Sequence, residues 1–245
     1  MKRIALIMMV VMPTTLWAQT DDFGIWAGAT IEKKLSKKLS LGGELEFRSA
    51  DNLKRVDRWS GGLSLDYKLT DWLKAGAGYT YLYDYHPESY TYQDDGDLNK
   101  RSMTYFGSRH RFNMSLTASK DFGKLNISLR ERWQYTYRPE QADKRMDYQH
   151  SDLGYSYPVK GMAKHVWRNR LQFKYKASDL LRPYISGETY VANGFDKLRL
   201  SLGTELKLSK QSSLNMGYIY QKAYDDDDED TGQKHILSIG YKYKF

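Results

Sequence analysis

The residues that could carry chemistry are few in kind. Five histidines stand at His86, His110, His150, His165 and His235, and there is no cysteine. The lack of cysteine removes disulfides, thiolate metal sites and cysteine nucleophiles together. A serine hydrolase needs a nucleophile, a base and an acid within reach. Ser108, Ser151 and Asn169 lie near His110, His150 and His165 in sequence. No spacing among them forms a nucleophile elbow or a triad. The run 225–230 is entirely acidic and offers hard oxygens to a divalent cation. It lacks the alternate ligand spacing and the glycine of a calcium loop, so it reads as a solvated loop. The sequence therefore calls for no metal and no cofactor. The aromatic stretch 85–92 offers rings to an extracellular ligand such as a glycan.

Charges at alternate positions form the larger constellation. Glu44, Glu46, Arg48, Arg58, Asp66, Arg109, Arg111, Arg130, Arg132, Arg168, Arg170, Glu188, Arg199 and Glu205 each share one parity with polar neighbours in an alternating segment. On strands that parity places them on one face. Two uses suit them. They can fill an interior as paired ions, or line a path for a small anionic solute as an arginine ladder.

The elements that would position them are strands. Eleven segments alternate with period two: 23–35, 39–49, 58–69, 73–85, 110–119, 124–137, 165–176, 183–193, 197–208, 214–221 and 235–245. Most approach the roughly 9–11 residues of a tilted membrane strand. In the last, His235, Leu237, Ile239, Tyr241, Tyr243 and Phe245 oppose Lys234, Ile236, Ser238, Gly240, Lys242 and Lys244. A helix would scatter both sets around its circumference. Long polar loops are expected at 86–107, 138–163 and 222–233, alternating with tight turns such as 36–38 and 70–71. Short turns on one side and long loops on the other mark outer-membrane barrels. Aromatics gather toward strand ends, among them Trp26, Trp59, Trp72, Trp133, Tyr135, Tyr137 and Trp167, as interfacial girdles do.

Composition is compatible with this. The mean hydropathy is −0.72. A barrel shows lipid only every second residue, so an ordinary mean does not exclude it. The 38 Lys+Arg against 30 Asp+Glu give +8, but the charges interleave with tyrosine along the chain, so no nucleic-acid partner is expected. Met1, Lys2 and Arg3 precede an apolar run over 4–12, and Pro13 to Ala18 end in a small residue. This layout predicts a signal peptide over 1–18 and one mature barrel domain over 19–245. The run is shorter than the roughly 20 residues of a spanning helix.

The expected fold is all-β, an antiparallel transmembrane barrel of about 10–12 strands, with twelve favoured because single-chain bacterial barrels have even counts. Eleven segments conflict with that rule. A segment has been missed, or the chain enters on the side opposite to that expected.

Short stretches resemble a family of small bacterial outer-membrane barrels catalogued as a domain of unknown function. They include Asp22-Phe23-Gly24-Ile25-Trp26, 33–41, Glu44 to Arg48, Asp57-Arg58, Leu65 to Leu69 and Ala77-Gly78-Tyr79. His110-Arg111-Phe112, Leu129 to Arg132, Arg168-Asn169-Arg170, Pro183-Tyr184 and Glu188 continue the likeness over the mature chain. The resemblance implies the outer membrane and no activity. The C-terminal pattern Ser238-x-Gly240-x-x-Tyr243-x-Phe245 is similar to the signal read by the barrel-assembly machinery. An alternating terminal strand can add to a receptor edge.

Three functional readings follow. The first is an integral outer-membrane barrel, structural or narrow-pored, with a polar ion-paired lumen, no enzymatic activity, and lipids and the assembly machinery as partners. The second is a membrane-embedded hydrolase of lipids or peptides. The third is a soluble secreted β binding protein.

Overall fold

The structure is a computed structural model and describes residues 22–148, 154–224 and 232–245. The expected signal peptide and the acidic run 225–230 lie outside the described residues, as do His150 and Ser151. Among the described residues, fifteen strands occur in the order β1 (Asp22–Lys34), β2 (Leu39–Ala50), β3 (Arg55–Lys68), β4 (Leu73–His86), β5 (Ser89–Tyr92), β6 (Leu98–Ser102), β7 (Tyr105–Phe122), β8 (Leu125–Arg138), β9 (Gln141–Asp147), β10 (Tyr155–Val159), β11 (Met162–Tyr175), β12 (Leu181–Val191), β13 (Phe195–Lys207), β14 (Ser212–Ala223) and β15 (Gln233–Lys244). Eleven close a barrel in the order β1-β15-β14-β13-β12-β11-β8-β7-β4-β3-β2.

The even count is corrected. The barrel has eleven strands, all neighbours are antiparallel except one pair, and β1 closes on β15 in parallel. The seam runs from Asp22 opposite Lys234 to Glu32 opposite Lys244. A chain alternating in direction through an odd number of strands ends in the direction it began, so closure must be parallel there. Closure matters more than parity, because an open edge in hydrocarbon leaves unpaired amides that cost several kcal/mol each, roughly.

Serine and threonine hydroxyls write four of the five tight turns at one end. The Ser36 Oγ accepts from the amides of Lys38 and Leu39, and the Thr70 Oγ1 from that of Leu73. The Ser178 Oγ accepts from Leu181 N, and the Ser209 Oγ from Gln211 N and Ser212 N. These hydroxyls replace missing backbone partners in a short loop. The fifth turn places Gly123 at φ 62, where a side chain is disfavoured. This is the short-turn end of the barrel, and the opposite end carries the long connections.

Two of the expected loops are not loops. The β4–β7 and β8–β11 connections contribute β5, β6, β9 and β10 to a separate four-stranded sheet, ordered β10-β9-β6-β5. Lys100, Arg101 and Ser102 of β6 pair with Asp147, Met146 and Arg145 of β9. The barrel wall also starts earlier than the sequence reading in β7, at Tyr105, which pairs with His86.

The molecule is inside out relative to a soluble sandwich. Leu45 is 68% exposed, Leu63 64% and Met114 63%, all on outward positions, while Ile236 and Gln221 inside are 1% exposed. Water would penalise such a belt at roughly 25 cal/mol per Å² of apolar surface. Outward rings cluster toward both ends of the strands. Trp59, Tyr81, Tyr83, Trp133 and Trp167 lie toward the long connections, and Tyr67, Trp72, Phe122, Tyr241 and Phe245 toward the short turns. This is the girdle pattern of a transmembrane barrel.

Candidate functional site

The alternation of each strand delivers the charged set to the lumen. All fourteen charged positions singled out by parity face inward, as their registers and contacts place them. With inward lysines added, the charged interior separates into an arginine-rich level near the long-loop end and a level near the short turns where lysines meet the carboxylates.

At the upper level two carboxylates act as hubs. Glu188 of β12 accepts from Arg130 of β8 at 2.8 Å and Arg168 of β11 at 2.9 Å, with Arg199 of β13 at 3.6 Å. The Tyr190 hydroxyl donates to it at 3.0 Å. Asp84 of β4 accepts from Arg58 of β3 and, at 2.5 Å, from Arg109 of β7. Glu46 accepts from Arg48 two residues along the same strand, at 2.7 Å. Buried carboxylates are tolerated only when held by such charge-assisted hydrogen bonds.

A tryptophan joins the Glu46 pair to the Glu188 hub across the interior. The Arg48 guanidinium lies 3.8 Å from the centre of the Trp26 ring, and that of Arg199 lies 4.7 Å from it. Arg168 and Arg199 also lie over Tyr190, at 4.5 and 5.1 Å. The chain of contacts Glu46, Arg48, Trp26, Arg199, Glu188, Arg130 therefore spans the barrel from β2 to β8. Trp26 is thus a lumenal residue rather than a girdle residue, a correction to the aromatic pattern of the sequence. Its even parity with Asp22, Gly24 and Gly28 carried that signal.

Below the Trp26 contacts the walls differ. Seven strands turn glycine inward, with Gly28, Gly42, Gly62, Gly76, Gly78, Gly203, Gly217 and Gly240. The facing wall, β7, β8, β11 and β12, carries long side chains instead. Near the short turns Lys174 binds Glu205 at 2.7 Å, Lys74 binds Asp66 at 3.2 Å and Lys242 binds Glu32 at 2.6 Å. Glu44 points into this lower lumen and is exposed, so solvent reaches it.

The parity reading missed Asp84, Gln134, Gln221 and Tyr190. Each shares the inward parity of its strand and could have been found by extending the rule to uncharged and terminal positions. Gln134 accepts from Arg168 at 3.0 Å and Gln221 from Arg199 at 2.6 Å.

The histidines considered for catalysis are elsewhere. His110 and His165 face outward, His110 against the Tyr79 hydroxyl at 2.8 Å and His165 stacked 5.6 Å from Trp133. His86 is buried and stacked 4.4 Å from Tyr105. In the terminal strand the Ser238 Oγ donates inward to the Gly217 carbonyl at 3.2 Å, and Gly240 faces inward beside it. Tyr243 and Phe245 face outward with ring centres 4.8 Å apart.

One outward feature breaks the apolar belt. Glu131 of β8 opens onto a groove of about 760 Å³ walled by Leu65, Met114, Leu116, Trp133 and Trp167. Its Cα partner on β11 is Asn169, whose amide donates to the Thr189 hydroxyl at 3.4 Å.

A closed wall, an exposed apolar belt between aromatic girdles and a charged interior define a transmembrane β-barrel. Solved structures agree on the fold. The β domain of the Bordetella autotransporter BrkA is 14% identical with a TM-score of 0.52, covering 86% of each chain. The translocator domain of the autotransporter NalP from Neisseria meningitidis is 13% identical with a TM-score of 0.55, covering 86% of this chain and 77% of that one. No match is found among the curated proteins. The chain belongs to the family described as protein of unknown function (DUF2490), whose model matches residues 23–232.

Proposed function

We propose that this protein is an integral outer-membrane barrel that works without catalysis, with its interior bridged on the long-loop side. The observation that carries the reading is Trp26 held by Arg48 and Arg199, which reach it from strands on either side of the seam. Three side chains stacked across the seam narrow the interior at that level, which supports a bridged lumen. Eleven strands fall between the roughly eight that side chains fill and the 16–18 that leave a channel, so long paired arginines are needed to close the space. The exposed belt and its girdles support lipid as the surrounding partner. The outward Tyr243 and Phe245 at the end of an alternating strand support recognition by the barrel-assembly machinery. The outward, ring-packed histidines favour a girdle role over a hydrolase, since His110 packs on Tyr79 and Tyr81 and His165 on Trp133 and Tyr135.

The test is membrane fractionation with a heat-modifiability gel, followed by planar-bilayer recording of the purified protein. We expect recovery in the outer membrane, a heat-dependent mobility shift and no steady conductance. A stable open channel in the unmodified protein would overturn the bridged lumen. Recovery in the soluble fraction would overturn the membrane assignment.

A further inference from the structure

The arginine wall holds more positive charge than its carboxylate neutralises. On β8 and β11, Arg132 stands directly opposite Arg168 and Arg130 opposite Arg170. Like charges facing across a strand pair are destabilising. Of these four, Arg130 and Arg168 reach Glu188. Among the described residues, Arg132 and Arg170 make no ion pair with a carboxylate. Arg111 on β7 bonds only the Thr136 hydroxyl, at 3.1 Å.

Part of their hydrogen-bonding capacity is also unspent. The buried Nε atoms of Arg130, Arg132, Arg168 and Arg170 have no hydrogen-bond partner. A guanidinium is a fork of donors with no acceptor, and a buried donor left unmade costs its full desolvation. Four orphan donors on one patch are a site missing its acceptor. Solvent enters the lumen below the patch, where Glu44 is exposed. Lys74, Lys174 and Lys242 line the route from the short-turn end.

We propose that the lower lumen is a vestibule for a soluble, multiply charged oxyanion of the phosphate class, bound by Arg132 and Arg170 with support from Arg130 and Arg168. The inference rests on the bridged-lumen reading, which makes the vestibule a dead end and so a binding site rather than a path. Phosphate oxygens match guanidinium forks in pairs, and two or more charges are needed to offset adjacent arginines. At Arg132 and Arg170 a cation meets like charge, and a neutral sugar leaves the charge of the patch unneutralised.

The experiment is calorimetric titration of the full-length protein in a zwitterion-free detergent at low salt, with inorganic phosphate and pyrophosphate as probes. We expect saturable binding at one site per barrel, tighter for pyrophosphate. The double variant R132Q/R170Q should weaken it by about tenfold or more, the worth of one or two charge-assisted bonds. Arg145→Gln, on the outer sheet, should leave it unchanged. A heat-modifiability gel establishes that each variant is folded. Absence of saturable heat with either anion, or equal affinity in the folded double variant, overturns the inference. These outcomes are separable from failure of the bridged lumen, which is read as conductance of the unmodified barrel without added phosphate.

Discussion

Arg199 of β13 meets the Trp26 ring of β1 across two intervening strands of the wall, its guanidinium carbon 4.7 Å from the ring centre. Neither residue touches the other along the sheet. The contact exists only because the sheet closes, so it reports on the interior rather than on strand pairing.

Removing that ring should open the lumen without unfolding the barrel. Trp26→Ala deletes the shared platform of Arg48 and Arg199 and empties the space between them, with Arg48 still on Glu46 and Arg199 on Gln221. Two partly desolvated cation–π contacts amount to about 1–4 kcal/mol. The main-chain ladders on both sides of β1 are untouched. We expect a measurable single-channel conductance in planar bilayers with an unchanged heat-modifiable shift. A silent folded variant would show that other side chains close the interior.

Glu188 should be the most sensitive single position inside. Glu188→Gln leaves Arg130, Arg168 and Arg199 facing one another with no carboxylate among them. Breaking a buried ion pair by removing one partner costs about 3–5 kcal/mol. The midpoint of urea unfolding in vesicles should fall accordingly. Adding Arg168→Gln should recover part of the loss, because it removes one of the stranded charges.

Glu131 should respond in the opposite direction. It is a charge-bearing side chain on the lipid face, part-way down an otherwise apolar column with Leu129 below and Trp133 above. Lysine or arginine at the midplane costs about 2–4 kcal/mol and acids less, so Glu131→Leu should stabilise by about 1 kcal/mol. Thermal loss of the heat-modifiable form is the readout. Destabilisation would mean that Glu131 has a partner in the membrane.

The outer sheet should loosen in acid. The Arg101 guanidinium, 2.6 Å away, holds the Glu88 carboxyl below the usual glutamate range. A carboxyl lowered in the folded state stabilises fully above its unfolded value, near 4.5, and loses that contribution as pH falls through its folded value. The pair is partly exposed, with 41% and 33% of the Arg101 and Glu88 side chains accessible, so the effect is local and screened by salt. Amide exchange across 89–102 should rise below the glutamate range relative to Glu88→Gln, which has no such transition. Parallel pH profiles in the two proteins would refute it.

The wall was readable from sequence because period two survives lipid. Trp59, Leu63, Leu65 and Tyr67 against Arg58, Ser64, Asp66 and Lys68 permit no other element. The side each arginine faces followed from the same count. Which carboxylate it meets did not, since Arg130 and Glu188 lie 58 residues apart and are joined through β11 by a register that no local pattern encodes. The outer sheet escaped notice for a related reason. Its β6–β9 pairing spans two separate connections, and segments such as Leu98–Ser102 are too short and too polar to alternate. The eleventh segment was a correct count held against an even-number rule, and the parallel seam reconciles the two.

That seam has a topological consequence. An even barrel returns both chain ends to one face of the membrane, whereas here β1 begins at the long-loop end and β15 finishes among the short turns. The natural sequence lacks cysteine. A thiol introduced at Asp22 and another at Phe245 would therefore answer to impermeant reagents applied from opposite compartments. The outer ends of the first and last barrel strands thus make a pair of compass points across the membrane.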